Sequence, residues 1–135
     1  MPKKLPKTTP PKSSIKILLV EDDAFLAGMY VTKLNLEGYH VTLASDGEEG
    51  LTVIKKEHPD IVLLDIVLPK KDGFDVLKEI RKDPAMNDIR IIMLTNLGQR
   101  EDVSKGLKLG ADDYLIKAHF MPSEVVEKIK TLVKK

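Results

Sequence analysis

The chain has 135 residues, with 22 Lys and Arg against 21 Asp and Glu, no Cys, no Trp and a formal net charge of +1. That length suits one domain able to bury a core without disulfides or a structural zinc, and the missing Cys excludes thiol catalysis, Fe–S clusters and disulfide frameworks. No apolar run is long enough to span a bilayer and none follows the basic start as a leader would require, so a cytoplasmic globular domain is expected.

The charge is unevenly spread. Residues 1–14 hold Lys3, Lys4, Lys7 and Lys12, no acid, and four of the eight prolines, so they carry +4 and leave the remainder at −3. This segment has little apolar surface to offset its ordering entropy and reads as a flexible basic Pro/Lys-rich tail. Residues 15–135 read as one mildly acidic domain, which argues against nucleic-acid binding by the domain itself.

Five short apolar runs follow in order: Ile15–Val20, Tyr39–Ala44, Ile61–Leu64, Ile89–Leu94 and Tyr114–Ile116. The third and fourth are almost continuously Ile, Val and Leu, as strands buried on both faces of a parallel sheet are. Between the runs the spacing is helical. Asp23 is placed to cap a first helix lined by Ala27, Tyr30, Val31 and Leu34, which ends at Gly38. Ser45 and Glu48 read as a capping box ahead of Leu51 and Ile54. Phe74, Leu77 and Ile80 line a third helix, Val103, Leu107 and Leu109 a fourth, and Val125, Val126, Ile129 and Val133 a fifth. Gly106 should cost the fourth helix about 1 kcal/mol relative to Ala and make it the most pliable. Five strand–helix units predict an α/β doubly wound parallel sheet, with no output domain expected after the fifth helix.

In such sheets ligands bind beyond the carboxyl ends of the strands, where strand order reverses. The first run is followed by Glu21, Asp22 and Asp23, the third by Asp65, the fourth by Thr95 and the fifth by Lys117. Taken singly, each reads as a cap or a solvated loop residue. With Asp23 taken as the cap of the first helix, the others put three carboxylates, a hydroxyl and an ammonium on one sheet edge. In the strand order 2-1-3-4-5, Asp65 stands beside Glu21 and Asp22. Carboxylates so gathered repel unless a counter-charge joins them, and Mg²⁺ suits a few carboxylates plus water and phosphate oxygens. A cation site flanked by Lys and Thr is arranged for phosphoryl transfer onto a carboxylate. His40, His58 and His119 have no metal-ligand spacing and read as surface or loop residues.

Residues 15–135 resemble the receiver domain of two-component response regulators, a flavodoxin-like fold. The resemblance runs through ILLVEDD at 17–23, SDGEEGL at 45–51, PDIVLLD at 59–65, LPKKDGF at 68–74, IIMLT at 91–95 and GADDYLIK at 110–117. It implies that Asp65 is the phosphoacceptor, taking a phosphoryl group from a sensor histidine kinase or a histidine phosphotransfer protein. It further implies that Asp22 binds Mg²⁺ directly, that Glu21 acts through water, and that the Val67 backbone carbonyl completes the protein ligands. Lys117 and Thr95 would contact phosphoryl oxygens, and Tyr114 would be the aromatic switch whose ring turns inward when Thr95 moves. Pro69, Asp72 and Gly73 would fix the loop after Asp65 and open the third helix. The expected protein is a stand-alone, chemotaxis-regulator-like signalling module. It would catalyse only its own phosphorylation and dephosphorylation, and signal through the surface of the fourth helix, fifth strand and fifth helix.

Three positions depart from the family pattern. Ala118 stands where a cis-proline is usual, and a cis bond before a non-proline costs about 2.5–4 kcal/mol, which puts the usual placing of Lys117 in question. Asn96 replaces a common small residue beside Thr95. Val67 and Leu97, two residues past Asp65 and Thr95, cannot orient an attacking water, so slow self-dephosphorylation is expected. An aspartyl-phosphate phosphatase of the haloacid-dehalogenase type would need a second Asp at position 67, which is Val. A degenerate receiver, never phosphorylated and acting as a constitutive binding module, is the remaining alternative.

Overall fold

A computed structural model of the chain describes residues 15–133. The expected tail at 1–14 lies outside the described residues. Five strands, β1 (Lys16–Val20), β2 (His40–Ala44), β3 (Ile61–Leu64), β4 (Arg90–Thr95) and β5 (Asp113–Ile116), alternate with five helices, α1 (Ala24–Leu36), α2 (Gly47–Glu57), α3 (Gly73–Lys82), α4 (Arg100–Lys108) and α5 (Pro122–Val133). All strand pairs are parallel and the order is β2-β1-β3-β4-β5, the flavodoxin-like arrangement expected from the sequence. Among the described residues, no helix is long and apolar enough to cross a membrane.

The alternation along each strand divides the core into two layers. Leu18, Val20, Val62, Leu64, Ile91 and Met93 pack with Leu51 and Ile54 of α2 and with Phe74, Leu77 and Ile80 of α3. The intervening residues Ile17, Leu19, Ile61, Leu63, Ile92 and Leu94 pack with Ala27, Tyr30 and Leu34 of α1 and with Val125, Val126 and Ile129 of α5. Each large aliphatic side chain so buried contributes about 1.5–3 kcal/mol, which drives these runs into the centre of the sheet. Every residue of β3 is buried, as its unbroken apolar run required.

Local polar chemistry sets the helix starts. Asp23, Asp46 and Asp72 are N-caps of α1, α2 and α3, each accepting from backbone amides of the first turn. For α2 this corrects the expected box of Ser45 and Glu48. The cap is Asp46, and Glu49 reaches back to accept from the Ser45 amide at 2.8 Å. The whole device sits one residue later because Asp46 adopts the extended backbone that a cap needs. Gly38, at φ +91°, follows α1 as expected. The fourth helix departs from its expected lining. Leu107 is exposed and Gly106 is the buried residue of α4, because the Tyr114 ring fills the space against it. A Cβ on Gly106 would lie 2.9 Å from Tyr114 Cδ2.

Candidate functional site at the carboxyl edge of the sheet

The carboxyl ends of β1, β3, β4 and β5 open into a cleft of about 320 Å³ lined by Glu21, Asp22, Asp65, Val67, Thr95 and Lys117 among others. The strand order makes this convergence unavoidable. With β1 paired to β3 through Val20↔Leu64, the residues just beyond them, Glu21 and Asp65, emerge side by side. Glu21 and Asp65 are buried, at 3% and 7% exposure, while Asp22 faces solvent. One carboxylate oxygen from each of the three lies within 4.8 Å of the others.

A single ammonium binds two of these acids. Lys117 Nζ donates to Asp65 Oδ2 at 2.8 Å and also to Glu21 Oε1, with all three side chains nearly removed from solvent. Burial alone would lower the Lys117 pKa, but its hydrogen bonds to Asp65 and Glu21 outweigh that and hold it above its ordinary value. The Lys117–Ala118 peptide is trans, and Lys117–His119 form a 3-10 turn. Lys117 therefore reaches Asp65 without a cis bond after it.

The remaining oxygens of the pair are also engaged. Glu21 Oε2 accepts from the Asp23 amide at 3.0 Å, and Asp65 Oδ1 accepts from the Ile66 amide at 2.7 Å. Glu21, Asp22 and Asp65 set three carboxylates against the one ammonium of Lys117, and Asp23 lines the same cleft. The donor set is oxygen only, it is anionic, and it is open to water on the Asp22 side. It fits a hard divalent cation such as Mg²⁺, which keeps several waters, better than a metal preferring nitrogen or sulfur.

Beyond Asp65 the chain makes a sharp loop. Gly73, the first residue of α3, has no room for a side chain, since a Cβ there would lie 2.2 Å from the Asp65 carbonyl oxygen. Its amide donates to the Ile66 carbonyl at 2.9 Å, closing the loop beneath Val67. At the loop tip Lys70 takes φ +70° and the Lys71 amide donates to the Pro69 carbonyl at 2.7 Å, the pattern of a strained three-residue turn. Such a non-glycine conformation costs about 1–3 kcal/mol and survives only where neighbours hold it.

Thr95 and Tyr114 lie on the other face of the sheet from the Ile92–Leu94–Leu115 layer. Thr95 continues the Ile91–Met93 alternation, is 1% exposed, and accepts from the Leu97 amide at 3.3 Å. The Tyr114 hydroxyl donates to the Leu97 carbonyl at 2.7 Å. Leu97 thus links the hydroxyl of one residue to that of the other. Desolvation of the half-buried Tyr114, with smaller effects of Asp102 and Asp65, pushes its phenol up to about 12. Asn96 is exposed at the cleft mouth. His119 is exposed, and His58 pairs instead with Asp88 at 2.9 Å, away from the cleft residues.

All the expected site residues meet at this edge except Tyr114, which is joined to the cleft lining by its hydrogen bond to the Leu97 carbonyl. One residue of electrostatic relevance read from sequence as mere core. Tyr30 is buried beside the α1–α5 layer, and its phenol is raised by burial and senses Lys117, Glu21 and Asp65. Nothing in its helical spacing separates it from its apolar neighbours.

Comparison with known proteins bears on the family and the fold. Residues 17–130 match the family model described as the response regulator receiver domain. The chain is 46% identical over 120 residues to the probable transcriptional regulator ycf27 of Cyanophora paradoxa, covering 89% of this chain and 48% of that protein. It is 38% identical over 120 residues to the DNA-binding dual master transcriptional regulator RpaA of Synechocystis sp., covering 89% and 49%. Among solved structures, the receiver domain of the Francisella response regulator 1452 superposes with a TM-score of 0.82 at 35% identity, over 90% of this chain and 98% of that one. The chain spans about half the length of the curated relatives it matches. Those relatives are transcriptional regulators, so they lend nothing to the stand-alone chemotaxis type expected from the sequence.

Proposed function

Because the chain belongs to the response regulator receiver domain family, we propose that it is a phosphorylation-switched module in which Asp65 accepts a phosphoryl group from the phosphohistidine of a sensor kinase or phosphotransfer protein. An Asp65 carboxylate oxygen attacks phosphorus, the P–N bond breaks, and the imidazole nitrogen keeps the electron pair. The observation that carries this reading is the grip of Lys117 on Asp65 beside Glu21 and Asp22, at the point where β1 and β3 part.

Asp22 and Asp65 would hold Mg²⁺ with the Val67 carbonyl. Glu21, which like Asp65 already has both oxygens hydrogen-bonded, would act through water. When bound there, Mg²⁺ would neutralise charge and act as a Lewis acid toward a phosphoryl oxygen. Lys117 orients Asp65 at rest and then has a phosphoryl oxygen to pair with. The new group brings roughly −1.5 to −2 charges and three acceptor oxygens, enough to draw the Thr95 hydroxyl from its Leu97 contact. Because Leu97 also receives the Tyr114 hydroxyl, a shift of Thr95 reaches β5 and α4, and the signal leaves through a protein–protein surface there. The domain turns over no external substrate.

Incubation of the protein with Mg²⁺ and acetyl phosphate tests this. Intact mass should rise by one phosphoryl group, and Asp65→Ala should abolish the rise. No uptake by the unaltered protein would favour the constitutive, non-phosphorylated binding module instead.

A further inference from the structure

The strained turn at 69–71 is held from outside its own loop. Its neighbour is the start of α2, where Gly47 sits buried as the first helical residue. The Gly47 amide is one of the unpaired donors of a helix N-terminus, and it donates to the Pro69 carbonyl at 3.3 Å. That carbonyl also receives the Lys71 amide, so one oxygen closes the turn and docks it to α2. The Lys71 carbonyl lies directly on Gly47, where a Cβ would come within 1.7 Å of its oxygen. Asp46, which caps α2, stands 3.9 Å from Lys70 Nζ. The turn follows two residues after Val67.

We propose that Gly47 and its Asp46 cap form a clasp that holds the 69–71 turn and thereby positions the Val67 carbonyl for the cation. Gly47 is then a positioning residue, acting through the loop on the metal site. Its glycine identity answers to the Lys71 carbonyl, since the helix itself has no need of glycine at its first residue. The inference rests on the proposed Mg²⁺ site and adds a requirement to it.

The test is Mg²⁺ affinity of the unphosphorylated protein, read from amide chemical shifts of Asp65 and Val67 during titration. Gly47→Ala should weaken binding by about tenfold or more, the size of effect typical for residues that orient metal ligands. Asp46→Ala, which frays the start of α2 while leaving the core intact, should weaken it in the same direction. Asp46→Asn keeps the cap and should leave affinity near that of the unaltered protein. Leu51→Ala serves as the comparison for stability, lowering the melting temperature without moving Mg²⁺ affinity. Unchanged affinity in Asp46→Ala, or an equal loss in Leu51→Ala, would overturn the clasp while leaving the metal site standing. Absence of Mg²⁺ binding by the unaltered protein would overturn both.

Discussion

Lys117 carries more of the resting site than any other side chain. Its ammonium neutralises part of Glu21 and Asp65 together. Lys117→Met should therefore destabilise the fold, because it leaves two buried acids facing each other, and a penalty of about 3 kcal/mol is of the expected order. Chemical denaturation at neutral pH measures it. Added Mg²⁺ should recover part of the loss. Under the proposed function, Val67 and Leu97 would bear on the lifetime of the phosphorylated state. Val67 is exposed toward the cleft and Leu97 is packed on the core, and neither offers a group to orient water. The phosphoryl half-life after removal of acetyl phosphate should be minutes or longer. Val67→Asn should shorten it, and a half-life of seconds in the unaltered protein would refute this account. Tyr114 makes a pH-dependent contribution of defined sign. Its proton is retained up to about 12 in the folded chain against 10.0 for a free phenol. The unfolded chain therefore loses that proton first, and stability falls as pH rises from about 10 to about 12. Tyr114→Phe should remove this part of the alkaline loss, at a cost at neutral pH of about 1 kcal/mol for the missing hydrogen bond to Leu97. Denaturation of both proteins at neutral and alkaline pH separates the two effects.

At the level of single elements, α4 is the least firmly attached helix. Gly106 is its buried residue, and its N-cap, Gln99, makes no side-chain capping bond. The glycine that weakens it is required by the ring it faces. Gly106→Ala gains about 1 kcal/mol in helix propensity but forces a methyl group against Tyr114, where overpacking costs about 1–3 kcal/mol. A net loss is expected, and it should turn into a gain in a Tyr114→Ala background, as a double-mutant cycle would reveal. The same helix marks where reading from sequence stopped short. Val103, Leu107 and Leu109 looked like one face, yet 107 and 109 are too close in sequence to share it with 103. Gly106, which has no side chain to announce burial, occupies the inward position. The capping of α2 shifted by one residue for a related reason, since Ser45, Asp46, Glu48 and Glu49 allow two overlapping boxes. Only the backbone angles at Asp46 choose between them. By contrast the third strand and the Asp23 cap of α1 were plain from local pattern alone.

For the whole molecule, legibility followed distance along the chain. Glu21, Asp65, Thr95 and Lys117 each end an apolar run, and one strand order gathers all of them, so their meeting could be anticipated. The seating of Gly47 against Lys71, and of Tyr30 within reach of the site's charges, depends on how separate helices dock and leaves no local signature. Far from the cleft, Arg81 ties the opposite side together. Its guanidinium donates to the carbonyls of Gly110 and Ile89 at 2.9 Å and to Asp112 at 3.1 Å, while Asp112 accepts from the Ile91 amide at 2.7 Å. The order of the strands carries a last consequence, in the time domain of amide exchange. β1 and β3, which lead into Glu21 and Asp65, are hydrogen-bonded on both sides and buried on both faces, whereas β5, which bears Tyr114, pairs with β4 alone. Deuterium should therefore enter β5 long before β1 and β3. The group that takes the charge would then rest on the slowest-opening part of the protein, and the group that passes the message on would sit where the backbone opens most readily.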